Sequence, residues 1–280
     1  MSFLKNKIAI GTVQFGLNYG ISNLTGQTSI DEVIKIINVA QENEINTLDT
    51  AFAYGKSEKV LGKLDTENFK VITKFIGISK RNELEEQFYK SLDHLNRDSV
   101  YGYLAHIPND ILKNKDLWSL LQDIKHQGKI EKIGFSFNSV DEIQAILEAD
   151  IIPDLIQVPF NILDNRFVFY MKELKEKYST EVHTRSTFLQ GLFFMDTRNL
   201  GSFFDPIKNW LNEIQDANLS GQLIKFATDK EYIDKVVIGV NDHFQLINNL
   251  DSLKKVNSSL KEFDFPFNSD ILTPNNWPTK

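Results

Sequence analysis

Eight short runs of apolar, β-branched residues recur along this chain, and amphipathic segments separate them. A run of this length between turn residues predicts a buried strand, and apolar spacing of three to four residues predicts a helix. The predicted strands are residues 7–11, 46–49, 71–75, 100–106, 130–137, 155–160, 181–186 and 235–240. The predicted helices are 30–43, 82–95, 117–126, 140–147 and 166–178, with further helices before and after the eighth strand.

Strands that alternate with helices pair in parallel through right-handed crossovers. Eight such units fill the roughly 250 residues of a (β/α)₈ TIM barrel. A doubly wound sheet is the alternative, but the turn after the first strand, Gly11 to Gly16, carries no dinucleotide fingerprint. We therefore predict a single domain over residues 1–280, with the barrel at about 7–255. A long aromatic loop (188–205) and an aromatic C-terminal tail (256–280) lie outside the repeat, and the tail is expected mainly to pack on the barrel.

Composition excludes several classes of function. The net charge of −7 argues against nucleic acid as a partner, and the absence of cysteine excludes disulfides and thiol catalysis. No stretch reaches membrane-spanning length, and the N-terminal residues lack the apolar core of a signal peptide. The expectation is a cytoplasmic protein, a monomer or weak homo-oligomer, with a small-molecule partner.

Four polar residues stand where predicted neighbouring strands end. Asp49 ends the second strand, Lys74 lies near the end of the third and His106 ends the fourth, while Tyr54 lies in the loop after Asp49. Taken alone, a carboxylate followed five residues later by a tyrosine is more often a turn cap and a core-edge ring. In a parallel barrel, however, all four side chains meet at one mouth.

This combination suits proton transfer. A phenol has an ordinary pKa of about 10, and a neighbouring ammonium group lowers that value. We expect Lys74 to act in this way on Tyr54, with Asp49 keeping the lysine charged and His106 orienting a carbonyl oxygen. Ser57 is predicted to cap the helix that follows, with Glu58 in its first turn.

Several motifs resemble the aldo-keto reductase superfamily, in order and over about residues 7 to 250. They are Gly11-Thr12, Asp49-Thr50-Ala51 with Tyr54-Gly55-Lys56-Ser57-Glu58, Lys74, Leu104-Ala105-His106, Ile133-Gly134-Phe135-Ser136, Gln157-Val158-Pro159-Phe160-Asn161 and Gln190-Gly191-Leu192. The resemblance implies NAD(P)H-dependent carbonyl reduction without metal or flavin. It makes Tyr54 the general acid/base, Lys74 and Asp49 its tuning pair and His106 the carbonyl-orienting group.

The resemblance also implies where the cofactor binds. Ser136 and Gln157 would hold the nicotinamide carboxamide, and residues 239–249 the adenosine end. The full set of expected cofactor contacts is Gly11, Thr12, Asp49, Ser136, Gln157, Arg185, Ser186, Gly191, Gly239, Asn241, Gln245 and Asn249. Three positions in this set depart from the family pattern. Arg185 replaces the aromatic that stacks on nicotinamide, and neutral Gly239 and Gln245 stand where stronger 2′-phosphate binders carry cations. A weak preference for NADPH over NADH is therefore expected.

Other interpretations of the same residues stay open. Lys74 could form a Schiff base in a lyase or aldolase, or the barrel could bind nicotinamide as a slow redox-sensing regulatory subunit. The histidines share no metal-ligand spacing, so no metal site is expected. The substrate itself is not readable from the sequence. Candidates to line its pocket are Phe15, Tyr19, Ile107, Phe160, Phe188 and Phe193.

Overall fold

The computed structural model describes residues 6–257, 260 and 269–278. Its centre is a closed barrel of eight parallel strands, each paired with its neighbours in sequence order, and β8 closes onto β1. The strands are β1 Ile8–Gly11, β2 Thr47–Asp49, β3 Lys70–Phe75, β4 Val100–Ala105, β5 Ile130–Ser136, β6 Leu155–Pro159, β7 Glu181–Arg185 and β8 Lys235–Gly239. This confirms the predicted (β/α)₈ fold, with strand boundaries within one residue.

Helices surround the barrel because each carries one apolar stripe that packs on the strands. They are α1 Val13–Gly16, α2 Ile30–Glu42, α3 Ser57–Leu61, α4 Arg81–Leu95, α5 Pro108–Lys113, α6 Asp116–His126, α7 Val140–Glu148, α8 Val168–Tyr178, α9 Asp205–Glu213, α10 Leu219–Thr228 and α11 His243–Lys255. Capping side chains determine where several of these helices begin. The Ser29 side chain caps α2, and Ser139 with Glu142 forms a capping box at α7.

The aromatic loop after β7 is ordered into three short 3₁₀ helices, Leu189–Phe194, Thr197–Asn199 and Ser202–Phe204. Its apolar residues Leu189, Leu192 and Phe193 are fully buried. The end of the tail packs on this loop, since the Trp277 ring lies 5.2 Å from that of Phe204. The other aromatic residues predicted to pack from the tail, Phe263, Phe265 and Phe267, lie outside the described residues.

In the part of the chain that the structure describes, no helix combines the length and apolar character needed to cross a lipid bilayer.

Candidate active site

The carboxyl ends of β2 and β3 bring Asp49 and Lys74 together below the mouth of the barrel. The Lys74 ammonium lies 2.8 Å from each Asp49 carboxylate oxygen and donates a third bond to the Thr50 carbonyl at 2.9 Å. Lys74 is fully buried and Asp49 nearly so. Burial lowers the pKa of Lys74, and the Asp49 charge opposes that shift. All three ammonium protons are therefore bound by acceptors of the protein.

The loop between β2 and α3 presents Tyr54, and two glycines allow its position. A Cβ on Gly16 would lie 1.8 Å from the Tyr54 carbonyl oxygen, and Gly55 has a positive φ of 59° against the Gly16 backbone. The loop thus packs directly on α1, an approach that only glycine permits.

Ser57 differs from its predicted role. Lys56 stands at the N-cap of α3, and the buried Ser57 hydroxyl donates to Thr12 instead. Glu58 does lie in the first turn, but its carboxylate is buried and accepts a 2.7 Å bond from Thr73. Both residues therefore anchor the loop that carries Tyr54 rather than simply starting a helix.

Tyr54 and His106 meet edge to face, with ring centroids 5.9 Å apart, and the Lys74 nitrogen lies 5.2 Å from the Tyr54 ring centre. Burial raises the pKa of Tyr54, helped by the Asp49 charge, while Arg185 opposes the shift. The pKa is therefore raised overall, where a lowering was expected, because desolvation is the largest influence and the Asp49 charge adds to it. Burial, together with the Lys74 and Arg185 charges, lowers the pKa of His106 to about 4, so the imidazole is neutral at pH 7. Its Nδ1 atom is buried without a hydrogen-bond partner.

Gln157 links this cluster to β6. Its amide nitrogen donates to Asp49 at 2.7 Å, which fixes the amide orientation and leaves the buried Oε1 atom without a partner. Ser136 stands opposite Gln157 in the β5–β6 register and is also buried. An acceptor and a hydroxyl side by side fit the amide group of a nicotinamide carboxamide. The residues present thus suit the cofactor that the resemblance implies.

An open cleft of about 710 Å³ lies over these residues. Most of the predicted site residues line it: Gly11, Thr12, Asp49, Tyr54, His106, Arg185, Ser186, Gly191, Gly239, Asn241, Gln245 and Asn249. Lys74, Ser136 and Gln157 lie in the layer beneath. The Gln14 side chain fills the space that a Cβ on Gly239 would need, and its Oε1 atom is another buried acceptor without a partner. The cleft therefore offers unused acceptors both below its floor and in its wall.

The predicted substrate-lining residues separate into two groups. Tyr19 and Phe188 line the cleft, whereas Ile107 is exposed and lies outside its lining. Phe15, Phe160 and Phe193 are fully buried; Phe160 stacks on Phe226 and Phe193 packs on Trp210. The structure thus corrects the expectation that these three face the cleft, because their rings pack into the hydrophobic core of the protein.

Arg185 ends β7 with its guanidinium group held by neutral acceptors. It donates to the Phe137 carbonyl at 3.0 Å and to the Asn138 side chain at 2.6 Å. Asn138 thus orients this cation, a role that its sequence position did not indicate. Ser186, directly after Arg185, has a φ of 65°, a left-handed conformation that is unusual for a non-glycine residue and common at functional sites.

The segment predicted to bind the adenosine end opens α11. Asp242 caps this helix through a 2.8 Å bond from the Gln245 backbone nitrogen, and the Gln245 side chain accepts a 2.9 Å bond from the Asn241 nitrogen. The start of this helix, where backbone N–H groups would otherwise favour a phosphate, is therefore already occupied by a carboxylate.

Sequence reasoning missed Gly16 and Arg166 as residues of this site. Gly16 follows Gly11 by five residues, and a turn with two glycines is more readily interpreted as a phosphate-binding pattern than as a site of close packing. Arg166, which lines the cleft, is predicted from the sequence only as the start of a helix. Among the residues described, no group of three or more His, Asp or Glu side chains could hold a metal ion.

Comparison with known proteins gives a match to the family model of the aldo/keto reductase family over residues 7–263. The oxidoreductase sirO of Leptosphaeria maculans is 28% identical over 172 residues, which are 57% of this chain and 52% of that protein. The glyoxal reductase of Bacillus subtilis (strain 168) is 31% identical over 140 residues, 47% of this chain and 50% of that protein. The chain thus spans about half the length of the curated relatives that it matches.

Solved structures share the fold at low sequence identity. A glycerol dehydrogenase from Gluconobacter oxydans superposes with a TM-score of 0.71 at 19% identity, covering 91% of this chain and 88% of the other. An aldo-keto reductase from Bacillus halodurans in its holo form gives 0.72 at 19% identity with the same coverage. With a family model that matches nearly the whole chain, these observations lead to one conclusion: the chain belongs to the aldo/keto reductase family.

Proposed function

We propose that this protein is an NAD(P)H-dependent oxidoreductase that reduces the carbonyl group of a small aldehyde, ketone or sugar-like compound to an alcohol. One observation carries the proposal. A buried Asp49–Lys74 ion pair lies directly beneath Tyr54, while Tyr54 and His106 line an open cleft. A fixed proton donor and a neutral hydrogen-bonding group at one point of a cleft suit the protonation of a carbonyl oxygen.

Tyr54 supplies the proton. Burial keeps the pKa of its hydroxyl high, so the phenol stays protonated until an alkoxide, a stronger base, develops beside it. The Lys74 ammonium, 5.2 Å from the ring centre, stabilises the phenolate that remains after the transfer. Asp49 keeps that ammonium charged and in place through two 2.8 Å contacts. The proton moves from the Tyr54 oxygen to the substrate oxygen, and Tyr54 is reprotonated before the next turnover.

His106 orients the carbonyl. Its low pKa of about 4 keeps the imidazole neutral at pH 7, so one ring nitrogen is available to donate a hydrogen bond without adding a second positive charge. The imidazole packs against the Tyr54 ring, which restricts both groups to one side of the cleft.

The cleft and the layer beneath it are suited to hold the cofactor. From beneath the cleft, Ser136 and the free Gln157 Oε1 atom would bind the carboxamide. Gly239, Asn241, Gln245 and Asn249 of the cleft lining would bind the adenosine end. A bound reduced nicotinamide would supply the hydride that adds to the carbonyl carbon. Arg185 remains our candidate for stacking on the ring, since a guanidinium plane can replace an aromatic one.

Weak discrimination between NADPH and NADH follows from the start of α11. No lysine or arginine lies among the cleft-lining residues of segment 239–249, and the Asp242 carboxylate caps the helix there. A 2′-phosphate would forgo charge-assisted bonds, each worth about 1.5–3 kcal/mol. A preference of about a thousandfold or more in either direction, which corresponds to roughly 4 kcal/mol, would contradict this proposal.

The test is a steady-state assay. Oxidation of NADPH and of NADH is followed at 340 nm with a panel of small aldehydes, ketones and sugars, and both dissociation constants are measured by fluorescence titration. We expect turnover with at least one carbonyl class and loss of that turnover in Tyr54→Phe with cofactor affinity retained. Tight cofactor binding without turnover on any carbonyl would favour the regulatory alternative.

One observation bears on the Schiff-base alternative. Burial lowers the pKa of Lys74, which would favour a nucleophilic neutral amine. The nitrogen, however, is fully buried and bound to Asp49 and Thr50. Borohydride treatment in the presence of substrate should therefore leave the mass of the protein unchanged.

A further inference from the structure

Two arginine side chains, Arg166 and Arg185, line the same cleft as Tyr54 and His106. The proposed proton transfer uses neither of them. The chain carries a net charge of −7, so two cations in the cleft are a local departure from its acidic character. Two cations that line one cleft suit a ligand of complementary charge.

The loops that carry the two arginines form one connected corner of the barrel mouth. The Phe160 nitrogen donates to the Arg185 carbonyl at 3.0 Å, and the Asn161 side chain donates to the Ser186 carbonyl at 3.0 Å. Asn161 and Asp164 then close a tight turn through two backbone bonds. Arg166 follows this turn directly, so its position relative to Arg185 is set by backbone contacts.

Arg166 is positioned by an ion pair and a ring contact that do not use all of its N–H donors. Its guanidinium group lies 3.1 Å from the buried Asp164 carboxylate and above the Phe167 ring at 5.5 Å. Its Nε atom is buried without a hydrogen-bond partner. The side chain is about one-quarter exposed, so the remaining N–H groups are open to the cleft.

The Arg185 guanidinium group is hydrogen-bonded to neutral groups. Its hydrogen bonds go to the Phe137 carbonyl, the Asn138 amide and the Ser186 hydroxyl, all of which are neutral. Within the described ranges, no carboxylate lies at ion-pair distance from it. These three bonds leave two of its five N–H donors unused. The group is close to the reacting centre, since its charge lowers the pKa of both Tyr54 and His106.

We propose that Arg166 and Arg185 together bind an anionic group of the substrate, a carboxylate or a phosphate, and so select small carbonyl compounds that carry a negative charge. The inference rests on the proposed carbonyl reduction and names its substrate class. Planar guanidinium groups bind such oxyanions in a bidentate manner. Binding through the N–H edge of Arg185 leaves the face of the guanidinium plane available for the nicotinamide ring.

Asp164 makes this selectivity depend on pH. Burial raises its pKa to about 6, while Arg166 from its own loop and Arg185 from β7 oppose the shift. As the pH falls from 7.5 to 5.5, Asp164 gains a proton and stops neutralising Arg166. Affinity for the anionic substrate should therefore rise severalfold over this interval, and Asp164→Asn should show the acidic-pH affinity at pH 7.5.

The experiment compares two aldehydes of the same shape. 4-Carboxybenzaldehyde is anionic and 4-carbamoylbenzaldehyde is its neutral, nearly isosteric counterpart. We expect wild-type protein to favour the carboxylate by about tenfold or more in kcat/KM, and Arg166→Gln to remove that preference through a higher KM for the anionic aldehyde. Arg198→Gln is the matched control, because Arg198 is highly exposed and pairs with Asp196 away from the cleft. It should keep the wild-type ratio.

Binding measured without turnover separates this inference from the proposed function. Calorimetric titration with benzoate and with benzamide should show benzoate binding that Arg166→Gln weakens by about tenfold or more. If no aldehyde, ketone or sugar of the panel is reduced but benzoate binding still depends on Arg166, the reductase proposal fails and the anion site stands. Equal rates for both aldehydes, or benzoate binding unaffected by Arg166→Gln, would overturn the anion site. A loss of NADPH affinity in Arg166→Gln with benzoate binding intact would also overturn it.

Discussion

The two ends of this barrel contain the same four chemical groups connected in different ways. The mouth has a carboxylate, an amine, a phenol and an imidazole in Asp49, Lys74, Tyr54 and His106. The opposite end has them in Glu181, Lys132, Tyr101 and His183. In both, strands of the barrel carry most of the groups, so composition alone does not separate one from the other.

At the end opposite the mouth, the Glu181 carboxylate contacts all three of the other groups. Glu181 accepts from Tyr101 at 2.6 Å, contacts the His183 Nε2 atom at 2.6 Å and pairs with Lys132 at 2.9 Å. Burial acts to raise the pKa of Glu181, but these hydrogen bonds outweigh it and hold the pKa well below its usual range. Such a network rigidifies the strands. The His183 Nδ1 atom is also buried without a partner, but none of these four residues lines the cleft.

At the mouth, Asp49 pairs with Lys74 and accepts a hydrogen bond from Gln157. Tyr54 and His106 face the cleft, and the His106 Nδ1 atom has no partner in the described structure. We therefore expect reactivity to depend on which members line a cavity. Two experiments compare the two ends directly, and two more test the mouth alone.

The largest contrast is expected between the two tyrosines. Tyr54→Phe should lower kcat by about 10²- to 10⁴-fold, because the alkoxide loses its proton donor, with little effect on folding or cofactor affinity. Tyr101→Phe should leave kcat nearly unchanged and lower the free energy of unfolding by about 1–2 kcal/mol, since Glu181 loses one hydrogen bond. Steady-state kinetics and urea unfolding measure both. Equal kinetic defects in the two variants would remove the distinction between the ends.

The two lysines come next. Lys74→Met leaves Asp49 buried without its cation, so unfolding should be easier by about 3–5 kcal/mol and kcat should fall nearly as far as in Tyr54→Phe. Lys132, one-quarter exposed, pairs with a carboxylate that keeps two other partners. Its replacement by Met should cost less than about 1 kcal/mol. The double variant Tyr54→Phe/Lys74→Met should be little worse in kcat than either single one. Strictly multiplicative losses would show that the two residues act independently.

Gly16→Ala tests whether the mouth depends on loop position. The added Cβ would meet the Tyr54 carbonyl at 1.8 Å and force the loop away. A displacement of about 1 Å can cost 10²-fold, so we expect kcat to fall by about 10- to 100-fold. Gly201→Ala is the control, because a Cβ there meets nothing within 4 Å and the φ of −62° suits alanine. It should leave kcat unchanged and could add up to about 1 kcal/mol of stability. Wild-type kinetics in Gly16→Ala would show that the loop tolerates displacement.

The smallest effect concerns acid stability. The pKa of His106 in the folded protein is about 4, below the usual 6.5. The unfolded chain therefore binds the proton first, and stability is lost as the pH falls from about 6.5 to 4. This group should account for about 2–3 kcal/mol of the loss by pH 4.5. His106→Gln cannot titrate, so its unfolding free energy should fall by that much less between pH 7 and 4.5. Parallel pH curves for wild type and variant would refute the assigned pKa.

The architecture and the set of polar groups at the mouth can be predicted from the sequence. Eight apolar runs separated by amphipathic segments leave few folds other than a closed barrel, and strand order then specifies which strand ends share the mouth. For this reason the positions of Asp49, Lys74 and His106 in the chain are enough to place them together. Motif spacing adds Tyr54, whose loop follows Asp49 directly.

The environment of those groups follows from tertiary packing instead. Burial is a property of packing, so the pKa of Tyr54 rises where a local argument predicts a fall, and Phe15, Phe160 and Phe193 turn into the core instead of the cleft. Long-range contacts likewise produce the free oxygen of Gln157 and the shared corner of Arg166 and Arg185, whereas the carboxylate cap at α11 is a local contact between Asp242 and Gln245. Most of these features depend on contacts between residues that are distant in the sequence. The closed barrel determines those contacts, so they cannot be predicted from the local sequence.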